Sequence, residues 1–122
     1  MPKIERFEEI KAWQLSRDLV LSVYQASWKG RFAADYALRD QIRRASVSVM
    51  SNIAEGFERE SDKELKRFIY MAKGSAGEVR SHLFVALDLG YLTADQFADL
   101  RVKAEEASKA LSGFISYLSS ES

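Results

Sequence analysis

Apolar side chains recur every three or four residues along most of the chain, which is the spacing of one face of an α-helix. The pattern is most regular in the last quarter of the sequence, where it is formed by Phe97, Leu100, Ala104, Ala107, Leu111, Phe114 and Leu118. Similar stripes run through the middle of the chain, and no strand-like alternation of apolar and polar residues competes with them. The pattern therefore predicts an all-α fold.

Residues that begin and end helices interrupt this pattern at three points. Gly30 is predicted to close a first helix, and Asp35 follows it as the N-cap of a second. The segment Ser61–Glu64 has the form of a capping box, which opens a third helix. Gly90 then closes that helix, and Thr93–Gln96 repeats the capping box for a fourth. These signals predict helices over residues 7–29, 35–59, 62–89 and 94–119.

The predicted helices are long and the joints between them are short. The 122 residues fit a single domain, which covers residues 1–122. Four long helices with short joints form an up-down-up-down antiparallel four-helix bundle. A chain of this length buries enough surface to fold without a cofactor or a metal ion.

The first two predicted helices carry more apolar surface than a single bundle needs. Small and aliphatic residues line one face of the first helix, and bulky side chains lie on its opposite side. The second helix likewise has a second apolar row, turned away from its first. Such a surplus is usually buried against another subunit, so we predict a homo-oligomer. The alternative is that a bent first helix buries both sides within its own subunit. The predicted contact residues are Trp13, Tyr24, Trp28, Met50 and Phe57.

Composition narrows the classes of function. The chain has no cysteine, which excludes disulfides, thiolate nucleophiles and cysteine-ligated metal sites. Lysine and arginine together number 18, as do aspartate and glutamate, so no net charge attracts nucleic acid or membranes. No apolar run approaches the roughly 20 residues needed to cross a bilayer, and the first residues lack the apolar core of a signal peptide. We therefore expect a cytoplasmic protein without membrane contact.

Three stretches of the sequence resemble a known protein family. The longest is QIRRASVSVMSNIAEGFER, from Gln41 to Arg59, and the others are AKGSAGE, from Ala72 to Glu78, and LGYL, from Leu89 to Leu92. They are similar to the four-helix bundle proteins, also called intervening-sequence proteins, some of which are encoded in insertions within bacterial large-subunit ribosomal RNA genes. The resemblance implies an up-and-down bundle that associates into a ring-like homopentamer.

A distantly related group with the same fold serves as the accessory protein of diversity-generating retroelements. That group binds a reverse transcriptase and nucleic acid through a basic surface. The resemblance therefore implies RNA, DNA or a nucleic-acid enzyme as partners, besides other copies of the chain. Two features differ from the family pattern: Phe32, Ala33 and Asp35 stand where the family often has Phe-Pro followed by Glu, and the chain is neutral.

Three arginines near the start of the second predicted helix are the candidate nucleic-acid contacts. Arg39 and Arg43 lie one turn apart on the same side, and Arg44 points about a further 100° around the helix. Several such side chains on one open face form a phosphate-binding row. Asp40 precedes Arg44 by four residues, however, and this spacing also fits a helical ion pair on a solvated face.

Asn52 and Glu55 belong to the NIAEG motif of the same helix. Asn52 flanks the predicted core stripe, where a polar side chain needs a hydrogen-bond partner. Glu55 lies within reach of Arg59, four residues later. We predict a structural polar network at a helix or subunit contact, with ligand binding as the alternative.

Gly74 and Gly77 lie inside the third predicted helix, where each costs about 1 kcal/mol relative to alanine. We predict that they let another helix pack closely, because the lysine and serine that end a phosphate-binding P-loop are absent. His82, the only histidine, shares a face with Glu78, but one histidine at this spacing does not match the motifs of di-iron bundles. No metal or cofactor site is predicted.

These observations predict a non-catalytic, homo-oligomeric binding or scaffold protein. The leading interpretation is an accessory role in an RNA or DNA transaction. The alternative is a purely structural protein–protein assembly module that binds no nucleic acid. A third interpretation, an enzyme with its site at subunit junctions, has no catalytic motif in the sequence to support it.

Overall fold

Helices account for the regular structure in the computed structural model, which describes residues 3–121. These residues form no strand, so the predicted all-α class is confirmed. Within the same residues, no helix is both long enough and apolar enough to cross a membrane. A 3-10 turn comes first, at Phe7–Glu9. The α-helices that follow it are α1 (Lys11–Ala26), α2 (Gly30–Ala34), α3 (Tyr36–Glu58), α4 (Asp62–Asp88) and α5 (Ala94–Glu121).

The start of the chain differs from the single helix predicted over residues 7–29. Ile10 is extended, with φ −74° and ψ 122°, and it separates the 3-10 turn from α1. At its other end α1 stops at Ala26, because Ser27 leaves the helix and a side chain of α3 binds its carbonyl oxygen at 2.8 Å. Gly30 then begins α2 rather than closing α1, and its φ of +72° is a conformation that favours glycine.

The other three helices begin and end within two residues of the predicted bounds. Their capping residues explain this agreement. The Asp35 carboxylate accepts a 3.1 Å hydrogen bond from a main-chain N–H in the first turn of α3. The Ser61 hydroxyl accepts one of 3.3 Å at the start of α4. At the start of α5 the capping box is complete, because the side chains of Thr93 and Gln96 each accept a hydrogen bond from the other's main-chain N–H, at 3.1 and 2.8 Å.

Each long helix packs against two others. Contacts join α1 to α3, α3 to α4, α4 to α5 and α5 to α1, which closes a cycle. The contacts between α3 and α4 run in opposite directions along the two helices. Near the end of α3, Gly56 lies against Phe68, whereas further back the Ser48 hydroxyl is 3.1 Å from that of Ser75. These two helices are therefore antiparallel.

The predicted apolar stripes face the inside of this arrangement. One buried cluster surrounds Val79 and Leu83, and a second surrounds Ile53 and Ala72, so the core extends along most of the length of the helices. Of the stripe predicted in α5, Phe114 is partly buried and the other six residues are buried. Each large aliphatic side chain buried in this way contributes about 1.5–3 kcal/mol.

Close approach of two helices occurs at Gly56 and not at the predicted Gly74 and Gly77. A Cβ added to Gly56 would lie 2.5 Å from the Cβ of Phe68, so only glycine lets α3 and α4 pack at this distance. Gly74 and Gly77 are exposed, and no atom from another part of the described chain lies within 4 Å of a Cβ added to either. Both glycines face outward from α4, so the predicted close packing at Gly74 and Gly77 does not involve a helix of the described chain and stays a prediction for a helix of another molecule.

Candidate nucleic-acid interface

Charged side chains are divided unevenly between the two ends of α3. Residues 27–44, which include the connection from α1 and the first turns of α3, contain five basic and two acidic side chains. Residues 55–64, at the turn from α3 to α4, contain five acidic and two basic ones. The 23 residues of α3 span about 34 Å. The neutral chain therefore has a basic end, residues 27–44, and an acidic end, residues 55–64.

Within the basic end, Arg43 binds the end of α1. Its Nε donates a 2.9 Å hydrogen bond to the Ser27 hydroxyl, and a terminal nitrogen donates one of 2.8 Å to the Ser27 carbonyl. Its guanidinium also lies 4.6 Å from the ring centre of Tyr24. These contacts place a positive charge at the C-terminal end of α1, where the helix dipole favours it. Arg43 is therefore a structural residue of the basic end.

Arg39 is held in a similar way at the end of α2. Its guanidinium donates hydrogen bonds to the Ala33 carbonyl, at 3.0 Å, and to the Asp40 carboxylate, at 2.9 Å. It also lies 4.7 Å from the ring centre of Tyr36. Asp40 thus pairs with Arg39, and the alternative ion pair between Asp40 and Arg44 is not formed.

A third arginine joins the basic end to the C-terminal end of α4. Arg31 donates a 3.2 Å hydrogen bond to the Leu89 carbonyl and lies 5.3 Å from the ring centre of Tyr91. The Tyr91 hydroxyl donates a 2.9 Å hydrogen bond to Asp35. This bond, and to a smaller extent burial, raises the pKa of Tyr91 above its ordinary value of 10.0. The sequence pattern does not reveal this network, because its members are 56 or more residues apart.

The exposed side chains of the basic end include two aromatic rings and two cations. Trp28 is 72% exposed and Tyr36 is 66% exposed. Lys29 and Arg44 are also exposed, and neither forms an ion pair or a side-chain hydrogen bond with any other part of residues 3–121. Of these four, only Arg44 is a nucleic-acid contact predicted from the sequence. The short helix α2 lies between Trp28 and Tyr36, and the apolar pattern of the sequence does not predict it.

The five residues predicted for a subunit contact do not form one open face. Trp13, for example, packs edge-on against Phe7, with ring centres 5.4 Å apart. The chain itself thus covers much of the surface that the pattern assigns to a partner. The half-buried members of the predicted set are Trp13, Tyr24, Met50 and Phe57, and only Trp28 is largely exposed.

Asn52 and Glu55 lie in different environments. The Asn52 amide donates hydrogen bonds to the carbonyl and the hydroxyl of Ser48, at 2.9 and 3.1 Å. Because the Ser48 hydroxyl also contacts that of Ser75, Asn52 belongs to a polar link between α3 and α4. Glu55 does not join this link. Its exposed carboxylate pairs with Arg59 at 3.3 Å, at the acidic end.

The acidic end presents a surface that disfavours phosphate. A groove of about 960 Å³ lies there, and its lining includes the apolar Phe57 and Leu65, the acidic Glu58, Glu60 and Asp62, and one cation, Lys3. Carboxylates at the edge of a groove repel the phosphate backbone of nucleic acids. The basic end is therefore the candidate nucleic-acid interface.

A metal site is not built from the histidine of α4. The His82 ring nitrogen lies 3.4 Å from the Glu78 carboxylate, as their spacing of four residues predicts. In the part of the chain that the structure describes, no three His, Cys, Asp or Glu side chains come together as metal ligands. His82 and Glu78 therefore form a surface pair on the helix.

Sequence and fold each match a described group of proteins. The model of a family described as 23S rRNA-intervening sequence protein matches residues 8–113. The fold is similar to the crystal structure of a protein with unknown function from the S23 ribosomal protein family of Bacteroides thetaiotaomicron VPI-5482. The two share 20% sequence identity with a TM-score of 0.78, over 85% of this chain and 97% of that chain, and at this identity the likeness concerns the fold alone. No curated protein sequence matches the chain.

Proposed function

Because the chain belongs to the 23S rRNA-intervening sequence protein family, we propose that it is a non-catalytic, homo-oligomeric binding protein of the cytoplasm that contacts nucleic acid through its basic end. Its unit is an up-down-up-down antiparallel four-helix bundle. The cycle of contacts among α1, α3, α4 and α5 supports this arrangement. The number of subunits follows from the family resemblance, which implies a ring of five.

The observation that carries the proposal is the separation of charge along α3. Lysine and arginine side chains bind nucleic acid by neutralising phosphates and releasing their counterions, which requires local rather than net positive charge. At about 0.1 M salt the screening length is about 10 Å. This is much shorter than the roughly 34 Å length of α3, so the acidic end does not cancel the field at the basic end.

Exposed aromatic rings indicate which form of nucleic acid the basic end fits. Proteins that bind single strands combine cations for the backbone with aromatic side chains on which unpaired bases stack. Trp28 and Tyr36 are both largely exposed and belong to the same basic end as Lys29 and Arg44. Since Arg39 and Arg43 are bound to main-chain carbonyls, they hold this surface in shape while the exposed side chains contact the ligand. We therefore expect single-stranded segments to bind more tightly than duplex.

A salt-series titration tests the proposal. Fluorescently labelled single-stranded DNA and structured RNA are titrated with the native chain between about 50 and about 200 mM salt, and log Kd is plotted against log salt concentration. Arg44→Ala should reduce the slope by about 1, because one phosphate contact is lost. Trp28→Ala should weaken binding by about 1–3 kcal/mol at an unchanged slope, because it removes stacking and no charge.

Lys109→Ala is the matched control. It removes one exposed positive charge from α5, away from the basic end, and should leave both affinity and slope unchanged. Absence of binding at about 50 mM salt, or an equal effect of Lys109→Ala and Arg44→Ala, overturns the nucleic-acid role. The second candidate function, a structural assembly module, would then be favoured by the exposed apolar residues of α4, among them Tyr70, Phe84 and Val85.

A further inference from the structure

The side of α4 that faces away from the other helices carries four large apolar side chains. Tyr70, Met71, Phe84 and Val85 are each between 41% and 56% exposed. They form two pairs, one in the first third of α4 and one near its C-terminal end. Exposed apolar pairs at both ends of one helix are typical of a surface that another helix covers.

Between the two pairs this side of α4 carries three small residues, with Glu78 beside them. Gly74, Gly77 and Ser81 are exposed, and a Cβ added to either glycine would meet no atom from another part of the described chain. Glycine destabilises a helix interior relative to alanine, and no contact within the chain makes use of the missing Cβ. A helix from another molecule would make use of it. We name this surface the outer α4 face, formed by Tyr70, Met71, Gly74, Gly77, Ser81, Phe84 and Val85.

Six of the seven residues of the outer α4 face are symmetric about the point between Gly77 and Glu78. A rotation that reverses the direction of α4 about this point exchanges the apolar residues with one another and Gly74 with Ser81, whereas Gly77 changes places with Glu78. A surface with this property is complementary to itself across a two-fold axis. The residues exchanged are Tyr70 with Val85, Met71 with Phe84, and Gly74 with Ser81.

We propose that a second copy of the chain docks on the outer α4 face, with its own α4 antiparallel to the first. The same rotation sets Arg67 opposite Asp88 of the second copy, and does so twice in the pair. Both side chains are exposed; Arg67 also binds the Glu64 carboxylate of its own helix at 3.1 Å, whereas Asp88 forms no ion pair with the rest of residues 3–121. In a parallel arrangement Arg67 would instead face Arg67 of the second copy, and Asp88 would face Asp88. Charge complementarity therefore favours the antiparallel arrangement.

This proposal rests on the self-association part of the proposed function and is independent of nucleic-acid binding. A two-fold contact cannot close a ring of five subunits, because its two sides are the same surface. It would join the five subunits of one ring to the five subunits of a second ring, or two single chains to each other. In either case it doubles the number of chains in the assembly.

Light scattering after size exclusion tests the doubling. The variant Tyr70→Glu/Phe84→Glu, which places carboxylates in both apolar pairs, should have half the mass of the native assembly and an unchanged helical circular dichroism spectrum. Val102→Glu is the matched control, since Val102 is an equally exposed apolar residue on α5, and it should keep the native mass. The charge contact is tested with Asp88→Arg, which should weaken the pair, and with Arg67→Asp/Asp88→Arg, which should restore it.

Cross-linking tests the register directly, because the chain has no cysteine of its own. Gly77→Cys places one thiol of each copy beside the two-fold axis, so a short bismaleimide should link the two copies in high yield. Lys63→Cys, also on α4, would place its two thiols about 43 Å apart along the helix axis at 1.5 Å per residue. It should give little product.

The outcomes separate this inference from the broader proposal. A native chain that scatters as a 13.9 kDa monomer at every concentration overturns the homo-oligomer as well as the docking surface. A native oligomer whose mass is unaffected by Tyr70→Glu/Phe84→Glu overturns the docking surface alone. Equal cross-linking of Lys63→Cys and Gly77→Cys does the same.

Discussion

Arg43 donates two hydrogen bonds to Ser27, one to the hydroxyl at 2.9 Å and one to the carbonyl at 2.8 Å, and so fastens the end of α1 to α3. Hydrogen bonds from a charged donor are each worth about 1.5–3 kcal/mol. We expect Arg43→Ala to lower the free energy of unfolding by about 2–4 kcal/mol, because it also leaves the buried Ser27 without this partner. Urea unfolding followed by circular dichroism measures the change.

Arg44→Ala is the control for this prediction. Arg44 is the next residue, carries the same charge and is exposed without an ion pair or a side-chain hydrogen bond to the rest of the described chain. Its removal should change the free energy of unfolding by less than about 0.5 kcal/mol. If the two alanine variants unfolded at the same urea concentration, Arg43 would not have the structural role assigned to it.

The second prediction concerns Gly56, where α3 and α4 approach closely. A Cβ at this position would lie 2.5 Å from the Cβ of Phe68, which is fixed to the backbone of α4 and cannot swing away. We expect Gly56→Ala to destabilise the fold by about 1–3 kcal/mol through overpacking. The midpoint of thermal or urea unfolding is the measurement.

Gly113→Ala provides the opposite expectation in α5. Gly113 is exposed, and nothing from the rest of the described chain lies within 4 Å of an added Cβ. Alanine there should stabilise the helix by about 0.5–1 kcal/mol. Destabilisation by Gly113→Ala, or none by Gly56→Ala, would contradict the packing described for these helices.

The glycines of the long helices show which parts of the fold the sequence predicts and which it does not. The apolar spacing and the caps at Asp35, Ser61 and Thr93 are local signals, and they predict the class and three helices closely. Which glycine lies at a helix contact depends on the rotation of each helix about its axis, and the local pattern does not determine it. The same pattern that predicts close packing at Gly74 and Gly77 therefore does not show that α3 and α4 meet at Gly56 instead, nor that both other glycines face outward.

The candidate site depends on contacts between residues distant in sequence. The sequence pattern predicts that Arg43 is a surface cation, because it follows Arg39 by four residues and the two would share an exposed face of the helix. In the structure its partner Ser27 is 16 residues away and belongs to the break between α1 and α2. The sequence predicts that this segment is basic, but it does not predict which of its cations are bound within the chain.

The third prediction concerns pH and the hydrogen bond from Tyr91 to Asp35 at 2.9 Å. The pKa of Tyr91 is raised above 10.0 in the folded chain, so the folded state holds the phenol proton more tightly than the unfolded state does. The stabilisation by this bond is therefore complete below about pH 10 and is lost as pH rises through the folded pKa. We expect the free energy of unfolding to fall as pH rises above about 10. In Tyr91→Phe, the contribution of the Tyr91–Asp35 hydrogen bond to this decrease should be absent.

Tyr36→Phe is the control for the alkaline titration. Tyr36 is exposed and donates no hydrogen bond to a carboxylate within the described residues, so its loss should leave the alkaline decrease in place. The ultraviolet absorbance of tyrosinate gives an independent measurement. One phenol of the native chain, that of Tyr91, should ionise at higher pH than an ordinary tyrosine, and this late step should be missing in Tyr91→Phe. Identical absorbance titrations of the native chain and Tyr91→Phe, after allowance for one fewer phenol, would contradict the assignment.

The last prediction separates the two roles available to Trp28, which the sequence places at a subunit contact and the structure places in the basic end. Trp13→Phe leaves Trp28 as the only tryptophan, and because Trp28 is 72% exposed, its fluorescence should be quenched strongly by iodide at any protein concentration. Addition of an oligodeoxynucleotide should protect it, because a base stacked on the indole excludes the quencher. Trp28→Phe, with Trp13 retained, is the control, and the half-buried Trp13 should respond weakly to both additions. Protection of Trp28 that appears without nucleic acid and disappears on dilution would instead assign this side chain to the contact between subunits.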